Sequence, residues 1–295
     1  IVPGEEVSAG NHRNRNVHFL ILNNSGFLPG DGDSAEKWLH TRPNLSIPAI
    51  LQRLEPGALS FAAHPAVPPP FLEKLLVRRG RWWKQDCAHP KLHGLQIWNG
   101  SPDGLEEGRR LWVELLLDGR RIFIAGGNDA HGNFGRFRQI GFPFFTMREH
   151  REQLFGRVRT GVFLKDGSGL HGLLSAVLQG RMVVTDGPFA EILVTNEQGA
   201  TAGVGAALSG THFDVGVQCL STPEFGDLRE LRLFRGDLSR REEYLLKRVV
   251  DFETPHEHRE TVRLTDHGYL RAELRTATGV HSRRCLTNPV WLRPK

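Results

Sequence analysis

The hydrophobic pattern of this 295-residue chain changes at Pro188. Before it, short apolar segments alternate with amphipathic segments of helical length. After it, short strand-like segments follow one another with turn residues between them. Alternating strands and helices indicate parallel pairing with right-handed crossovers, whereas successive short strands indicate an antiparallel sandwich. The sequence therefore predicts an α/β domain over residues 1–188 and an antiparallel β-sandwich-like domain over residues 189–295.

Composition describes an ordinary soluble protein, with 39% hydrophobic and 24% charged residues. No apolar run reaches the roughly 18 residues needed to span a bilayer, and the first residues lack the basic-then-apolar layout of a signal peptide. We therefore expect a soluble chain with no membrane partner. The sequence leaves its compartment and its oligomeric state open.

The formal charge of +5 and the isoelectric point near 9.4 are compatible with an anionic partner. The basic residues, however, form short groups that are scattered along the chain and often mixed with acidic residues, as in 78-RRGRWWK-84 and 239-SRREE-243. This distribution argues against a nucleic-acid partner and favours a small anionic substrate.

Residues able to bind metal occur at the predicted strand ends. His64 ends one strand, and Asp129 and His131 follow another. The carboxyl ends of parallel strands share one face, where ligands bind. Imidazole and carboxylate together suit zinc, manganese or iron. Taken singly, His64-Pro65 and the Asp129 segment are more typical of turns than of metal ligands, and His18, in an apolar strand, is typical of a buried core histidine.

The order of these residues is more specific than any one of them. Gly4-x-Glu6, the strand residue His18, 63-AHP-65, 96-QIWNG-100 and Gly127-x-Asp129-Ala-His131 follow one another along the chain. This succession resembles the PHP (polymerase and histidinol phosphatase) superfamily of metallohydrolases, in particular its carbaryl-hydrolase-like branch. Further likeness to that branch lies in 157-RVRTGVF-163, 176-AVLQGRMVVTDGP-188 and 287-TNPVW-291.

The resemblance implies a fold and a ligand set. The fold is an α/β, PHP-type distorted (β/α)7 barrel, incomplete at its N-terminus here, followed by the β-sandwich-like domain. Glu6 would bridge two metal ions, and His18 and His64 would complete the ligands of one of them. Asp129 and His131 would serve the neighbouring ions. Glu5 is the weaker candidate of the acidic pair, because the family's glutamate follows its glycine by two residues.

The sequence departs from the family at one point. The family has a His-x-His-Thr strand and a Thr-Asp-His upstream of the Gly-x-Glu, and neither occurs here. Two explanations stay open: the N-terminal segment is missing from this sequence, or the protein is a degenerate member. The opening IVPGEEV favours the first.

The resemblance implies a metal-dependent hydrolase that activates water with two or three divalent ions (Zn, Mn or Fe). Phosphoesters are the implied substrate class, with carbamate or carboxylic esters as the alternative. Arg136, Arg138 or Arg159 could clamp an anionic group of the substrate by bidentate hydrogen bonds. The alternative hypothesis is a non-catalytic binding or scaffold protein in which the metal site has degenerated.

Overall fold

A computed structural model describes residues 2–30, 41–130, 139–142, 145–148, 154–165 and 167–295. Spatial contacts divide the chain into two compact units, Ile1–Trp112 with Gly127–Phe155 and Val113–Gly126 with Gly156–Lys295. The division between sequence domains at residue 188 stays a prediction. No helix within the described residues has the length and apolar character needed to cross a bilayer.

The chain up to residue 148 contains seven described strands and three α-helices. The strands are β1 (Gly4–Gly10), β2 (Asn16–Leu22), β3 (Leu59–Ala63), β4 (Gly94–Asn99), β5 (Phe123–Gly127), β6 (Gln139–Phe142) and β7 (Phe145–Arg148). The helices are α1 (Ile47–Arg53), α2 (Phe71–Leu76) and α3 (Leu105–Leu117), and a short 3-10 helix spans Asp86–Ala88. Strands β1 to β5 form one sheet in sequence order, and β6 pairs with β7.

Local sequence signals account for the helices of this part. The α1 helix begins after Ser46, whose hydroxyl accepts a hydrogen bond from the backbone N–H of Ala49 at 3.3 Å. Such a cap satisfies one of the N–H groups that a helix start leaves without a partner, and Pro48 fits the first turn for the same reason. The apolar segments 17-VHFLILN-23, 59-LSFAA-63 and 94-GLQIWN-99 overlap the strands β2, β3 and β4.

The predicted (β/α)7 barrel is wrong. Strands make up 43% and helices 15% of the described residues, with four α-helices and no closed barrel among them. Strand β1 pairs with β2 in antiparallel register, and β2 pairs with β3 in the same way, whereas β3 and β4 are parallel. Only residues 11–15 connect β1 to β2, and a parallel crossover needs a dozen or more residues. The sheet therefore begins with a hairpin that the sequence analysis did not predict.

After residue 155, the second unit consists mainly of β-strands, with one described helix, α4 (Gly169–Leu178). Its strands after residue 155 are β8 (Arg159–Val162), β9 (Met182–Thr185), β10 (Phe189–Asn196), β11 (Thr201–Gly203), β12 (Ala207–Ser209), β13 (His212–Leu220), β14 (Asp227–Asp237), β15 (Glu242–Val250), β16 (His256–Arg263), β17 (Gly268–Thr278), β18 (His281–Thr287) and β19 (Val290–Arg293). They form a four-stranded sheet and an eight-stranded sheet. One hydrophobic core takes side chains from both sheets, including Ile192, Val215, Leu233 and Leu274.

Two buried polar groups fix strand positions in this unit. The guanidinium of Arg271 is fully buried and forms ion pairs with Glu243 at 2.6 Å and Glu273 at 2.5 Å. Asn288, also fully buried, accepts a hydrogen bond from the Ile124 N–H at 2.7 Å, and its amide donates to the Ile124 carbonyl at 3.0 Å. The same amide donates to the Met182 carbonyl at 3.1 Å. The Asn288 side chain thus bonds to the backbone of Ile124 and Met182 as the backbone of a neighbouring strand would.

We expect Asn288→Ala to destabilise the protein by about 2–4 kcal/mol, because it removes the side-chain partner of both the N–H and the carbonyl of buried Ile124. Chemical denaturation followed by circular dichroism measures the change. The matched control is Gln218→Ala, which shortens an exposed amide side chain on β13 and should change stability by less than about 0.5 kcal/mol. Equal stability of the two variants would contradict this role of Asn288.

Candidate metal centre

The pairing of β1 with β2 determines which side chains share a face of the sheet. Ser8 lies opposite His18 and Glu6 opposite Leu20, so Glu6 and His18 are diagonal neighbours on one face. Because side chains alternate along a strand, Glu5 projects from the other face, where its carboxylate accepts a hydrogen bond from the Leu28 N–H at 3.2 Å. Glu5 and Glu6 therefore project from opposite faces of the sheet.

His64 follows the last residue of β3. Its φ of 30° is unusual for a residue other than glycine, and the following Pro65 further restricts its backbone. Backbone conformations of this kind cost about 1–3 kcal/mol and cluster at functional sites. The backbone N–H of His64 is directed at the side-chain oxygen of buried Gln96, at 3.4 Å. This turn aims the imidazole back over the polar face of β1 and β2.

Three atoms that can bind a metal converge on this face. Oε1 of Glu6 lies 2.8 Å from Nδ1 of His18 and 3.1 Å from Nε2 of His64. The two imidazole nitrogens are 3.2 Å apart. The side chain of His64 is 10% exposed, and those of His18 and Glu6 are 24% and 29% exposed. The cluster is thus sheltered but open on one side.

The surroundings set the charge of each group. Burial raises the pKa of Glu6, but its hydrogen bonds to His18 and His64 and their positive charge outweigh burial and leave that pKa well below the usual range. Burial lowers the pKa of His64, and the charges of His18 and Arg79 lower it further, against the opposing effect of Glu6. The cluster therefore favours an ionised carboxylate and a neutral His64, the protonation states in which these side chains bind metals.

Arg79 places a second cation beside the cluster. Its Nη2 lies 2.9 Å from Nδ1 of His18, and its Nη1 contacts Nε2 of the same ring. A guanidinium only donates hydrogen bonds, so its contact requires a lone pair on Nδ1, whereas the carboxylate of Glu6 requires a proton there. One tautomer cannot meet both demands. The hydrogen bonds within the cluster are therefore incompatible with one another.

The donor set and its spacing fit a divalent ion. Adjacent ligands of an octahedral ion with bonds of about 2.1 Å are about 3.0 Å apart, whereas tetrahedral zinc places them about 3.3 Å apart. The distances of 2.8 Å and 3.1 Å from Glu6 to the two histidines are closer to the octahedral value, and the distance of 3.2 Å between the histidines is closer to the tetrahedral one. Two imidazoles and one carboxylate on one face of an octahedron are a known ligand set for iron.

The other predicted site residues are not part of this cluster. Among the described residues, Asp129 is outside the group of converging metal ligands, and its carboxylate accepts from the Asn99 amide at 3.4 Å. Its φ of 49° shows that it lies in a left-handed turn. Arg159 begins β8 in the second unit, with its guanidinium 5.5 Å from the centre of the Phe225 ring. The candidates His131, Arg136 and Arg138 lie outside the described residues.

The sequence analysis missed three residues that support the cluster. Arg79 contacts His18, the indole N–H of Trp82 donates to the His18 carbonyl at 3.1 Å, and Gln96 contacts the backbone of His64. A signal for the first two was present in the basic and aromatic segment 78-RRGRWWK-84. That segment was interpreted only as one of several scattered basic groups.

Comparisons with protein-family models, with curated proteins and with solved structures found no significant match to this chain.

We expect Glu6→Gln to weaken binding of Mn²⁺, Fe²⁺ or Zn²⁺ at least about 100-fold, because it removes the only carboxylate of the cluster. Glu5→Gln is the matched control, since Glu5 projects from the opposite face. Calorimetric titration after treatment with a chelator measures both affinities. Equal loss in the two variants, or no loss in either, would show that Glu6 is not a ligand.

Proposed function

We propose that this protein is a metal-dependent hydrolase that cleaves an ester bond, with phosphoesters as the substrate class. The observation that carries the proposal is the convergence of Glu6, His18 and His64, whose donor atoms lie within 3.2 Å of one another. The resemblance to the PHP superfamily supports the same chemistry. A divalent ion held by these residues would supply Lewis-acid activation of water and of the ester.

The residues of the chain have separate tasks in this function. Glu6 supplies the negative charge that balances the ion. His64 remains neutral and is held by its strained turn, so that its Nε2 is directed at the cluster without further rearrangement. Groups positioned in advance in this way need less reorganisation during the reaction.

Arg79 would bind the anionic part of the substrate. Arg79 lies beside the cluster, and the oxygens of a phosphoester would be suitable acceptors for its guanidinium because they accept bidentate hydrogen bonds from arginine. This assigns to Arg79 the role that the sequence analysis proposed for Arg136, Arg138 or Arg159.

The alternative is a non-catalytic protein with a degenerate site. The position of Arg79 favours this alternative, since a guanidinium beside His18 can balance the charge of Glu6 without any metal. The two functions differ in what binds next to Glu6, and the following experiments separate them.

We expect His64→Ala to lower hydrolysis of p-nitrophenyl phosphate or bis(p-nitrophenyl) phosphate at least about 100-fold, because it removes a ligand of the ion. Chelator treatment should have the same effect on the unmodified protein, and added Mn²⁺ or Fe²⁺ should reverse it. The control is His171→Ala, which changes an exposed histidine of α4. Unchanged turnover in His64→Ala would place the chemistry elsewhere, and less than about half an equivalent of bound metal would favour the scaffold.

Arg79→Met gives an independent test of the same choice. If Arg79 binds the substrate, the variant should retain its metal affinity while KM rises about tenfold or more, because a charge-assisted hydrogen bond is lost. If Arg79 takes the place of a metal, the unmodified protein should bind no ion and the variant should gain a site. Calorimetric titration with Mn²⁺ distinguishes the outcomes.

A further inference from the structure

A cavity of about 420 Å³ lies in the first unit, between the β1–β2 turn and the segment that follows α2. Among the described residues that line it, five are cationic and none is acidic. The cationic residues are Arg13, Arg15, Lys74, Arg79 and Arg81. Such a concentration of one charge in a concave site raises the local concentration of anions.

Asn11 holds in place the backbone that carries Arg13, Arg15 and Arg81. This residue is 6% exposed, and its side-chain oxygen accepts hydrogen bonds from the backbone N–H groups of Arg13 at 2.9 Å and Arg15 at 3.0 Å. Its amide donates to the carbonyl of Arg81 at 2.8 Å. One buried side chain therefore ties together two segments that are far apart in the sequence. These hydrogen bonds hold the walls of the cavity in a fixed position.

Gly80 allows the two segments to approach closely. A Cβ atom at this position would lie 2.6 Å from Cβ of Arg15 and 3.2 Å from the amide of Asn11. Its N–H donates to the Asn16 carbonyl at 2.7 Å. The cationic side chains of Arg79 and Arg81 thus extend from a backbone that is held against β2.

The cations other than Arg79 have no carboxylate partner in the described part of the chain. Arg13 contacts His12 through its Nε at 3.2 Å and lies over the ring of Trp83, with 4.1 Å from its central carbon to the ring centre. Arg15 donates to the carbonyl of Lys74 at 3.4 Å. Like charges held together in this way repel one another, and a bound anion would remove that cost.

Trp83 adds an aromatic wall to the cavity. Its side chain is 40% exposed, and its backbone N–H donates to buried Asp86 at 2.9 Å. Asp86 also contacts Nδ1 of His12 at 3.0 Å, and Nε2 of the same ring receives the hydrogen bond from Arg13. The chain Asp86–His12–Arg13 therefore holds the guanidinium on the indole.

Arg79 connects the cavity to the candidate metal centre, because it lines the cavity and contacts His18. We propose that the cavity binds the phosphate groups of a small molecule that carries at least two phosphate charges, as a nucleoside diphosphate does. The planar part of the ligand would contact Trp83. As a statement about substrate, the proposal rests on the proposed function, but binding of the anion itself requires no metal.

The size of the cavity selects a small ligand. Sites for small molecules usually enclose about 300–1,000 Å³, and this cavity is at the lower end of that range. A nucleic acid would need an extended basic groove with several aromatic platforms, whereas the described part of the lining contains one aromatic side chain, Trp83. The ligand is therefore expected to be a mononucleotide or another small diphosphate.

The test uses the full chain after removal of metals with a chelator, so that its result does not depend on the metal centre. Calorimetric titration with ADP, pyrophosphate, inorganic phosphate and adenosine compares the ligands. We expect ADP and pyrophosphate to bind at least about tenfold more tightly than inorganic phosphate, because more charge-assisted hydrogen bonds form, and adenosine to bind weakly. ADP should also change the fluorescence of the protein, and Trp83→Phe should remove most of that change.

The variant Lys74→Gln/Arg81→Gln should weaken binding of ADP at least about tenfold, since it removes two cations from the lining. The matched control is Arg110→Gln/Arg240→Gln, which removes two exposed cations outside the cavity. Circular dichroism verifies that both variants fold. Equal affinity of the two double variants, or tighter binding of a single-stranded oligonucleotide than of ADP, would overturn the proposal. Normal metal binding by Glu6, His18 and His64 in that case would leave the proposed function intact.

Discussion

The register of β1 against β2 is the constraint on which the candidate site depends. A shift of one residue would turn His18 toward the core and bring Phe19 to the polar face, because strand side chains alternate. The opposite face prevents this shift, since Val7, Ala9, Val17, Phe19 and Ile21 are all buried there. Apolar burial behind the sheet thus fixes the position of the polar groups in front of it. Glu6 and His18 meet because their neighbours in the sequence are in the core.

Two buried asparagines, one in the β1–β2 turn and one in β2, bond to the segment that carries Arg79 and Arg81. Asn16 is fully buried, and its amide donates to the carbonyls of Val77 at 2.6 Å and Thr41 at 2.9 Å, while its backbone N–H donates to the Arg78 carbonyl. Asn11 holds the carbonyl of Arg81 in the same way. The Asn11 side chain both donates and accepts, whereas the Asn16 side chain acts through its two N–H donors. The segment that carries Arg79 is therefore aligned along β2 and delivers a guanidinium to His18. The candidate metal centre and the cavity therefore depend on the same backbone segment, the one that carries Arg79.

The sequence was informative where the determining interactions are local. The caps and periodicity of α1 and α3 are local signals, and the order of Glu6, His18 and His64 was sufficient to propose these residues as one ligand set. The pairing direction of the strands was not predictable in the same way. Segment 4-GEEVSAG-10 is too polar to be recognised as a strand by its apolar content, so the hairpin with β2 was overlooked and a parallel barrel was expected. The cavity was missed for a related reason, because Arg13 and Arg81 are distant in sequence and only the fold brings them together.

The charges around Arg79 imply that metal and anion would not bind independently. The cluster holds one carboxylate, and an added divalent ion would raise the positive charge of a region that already contains Arg79 and the cationic cavity. An anion in the cavity would lower the electrostatic cost of the ion, and it would give Arg79 an acceptor other than His18. By linkage, each ligand must then raise the affinity for the other by the same factor. The incompatible hydrogen bonds around His18 would be resolved when both ligands are present, because the ion would engage the histidine and the anion would accept from the guanidinium. A site of this kind would bind its metal ion most tightly when its substrate is bound.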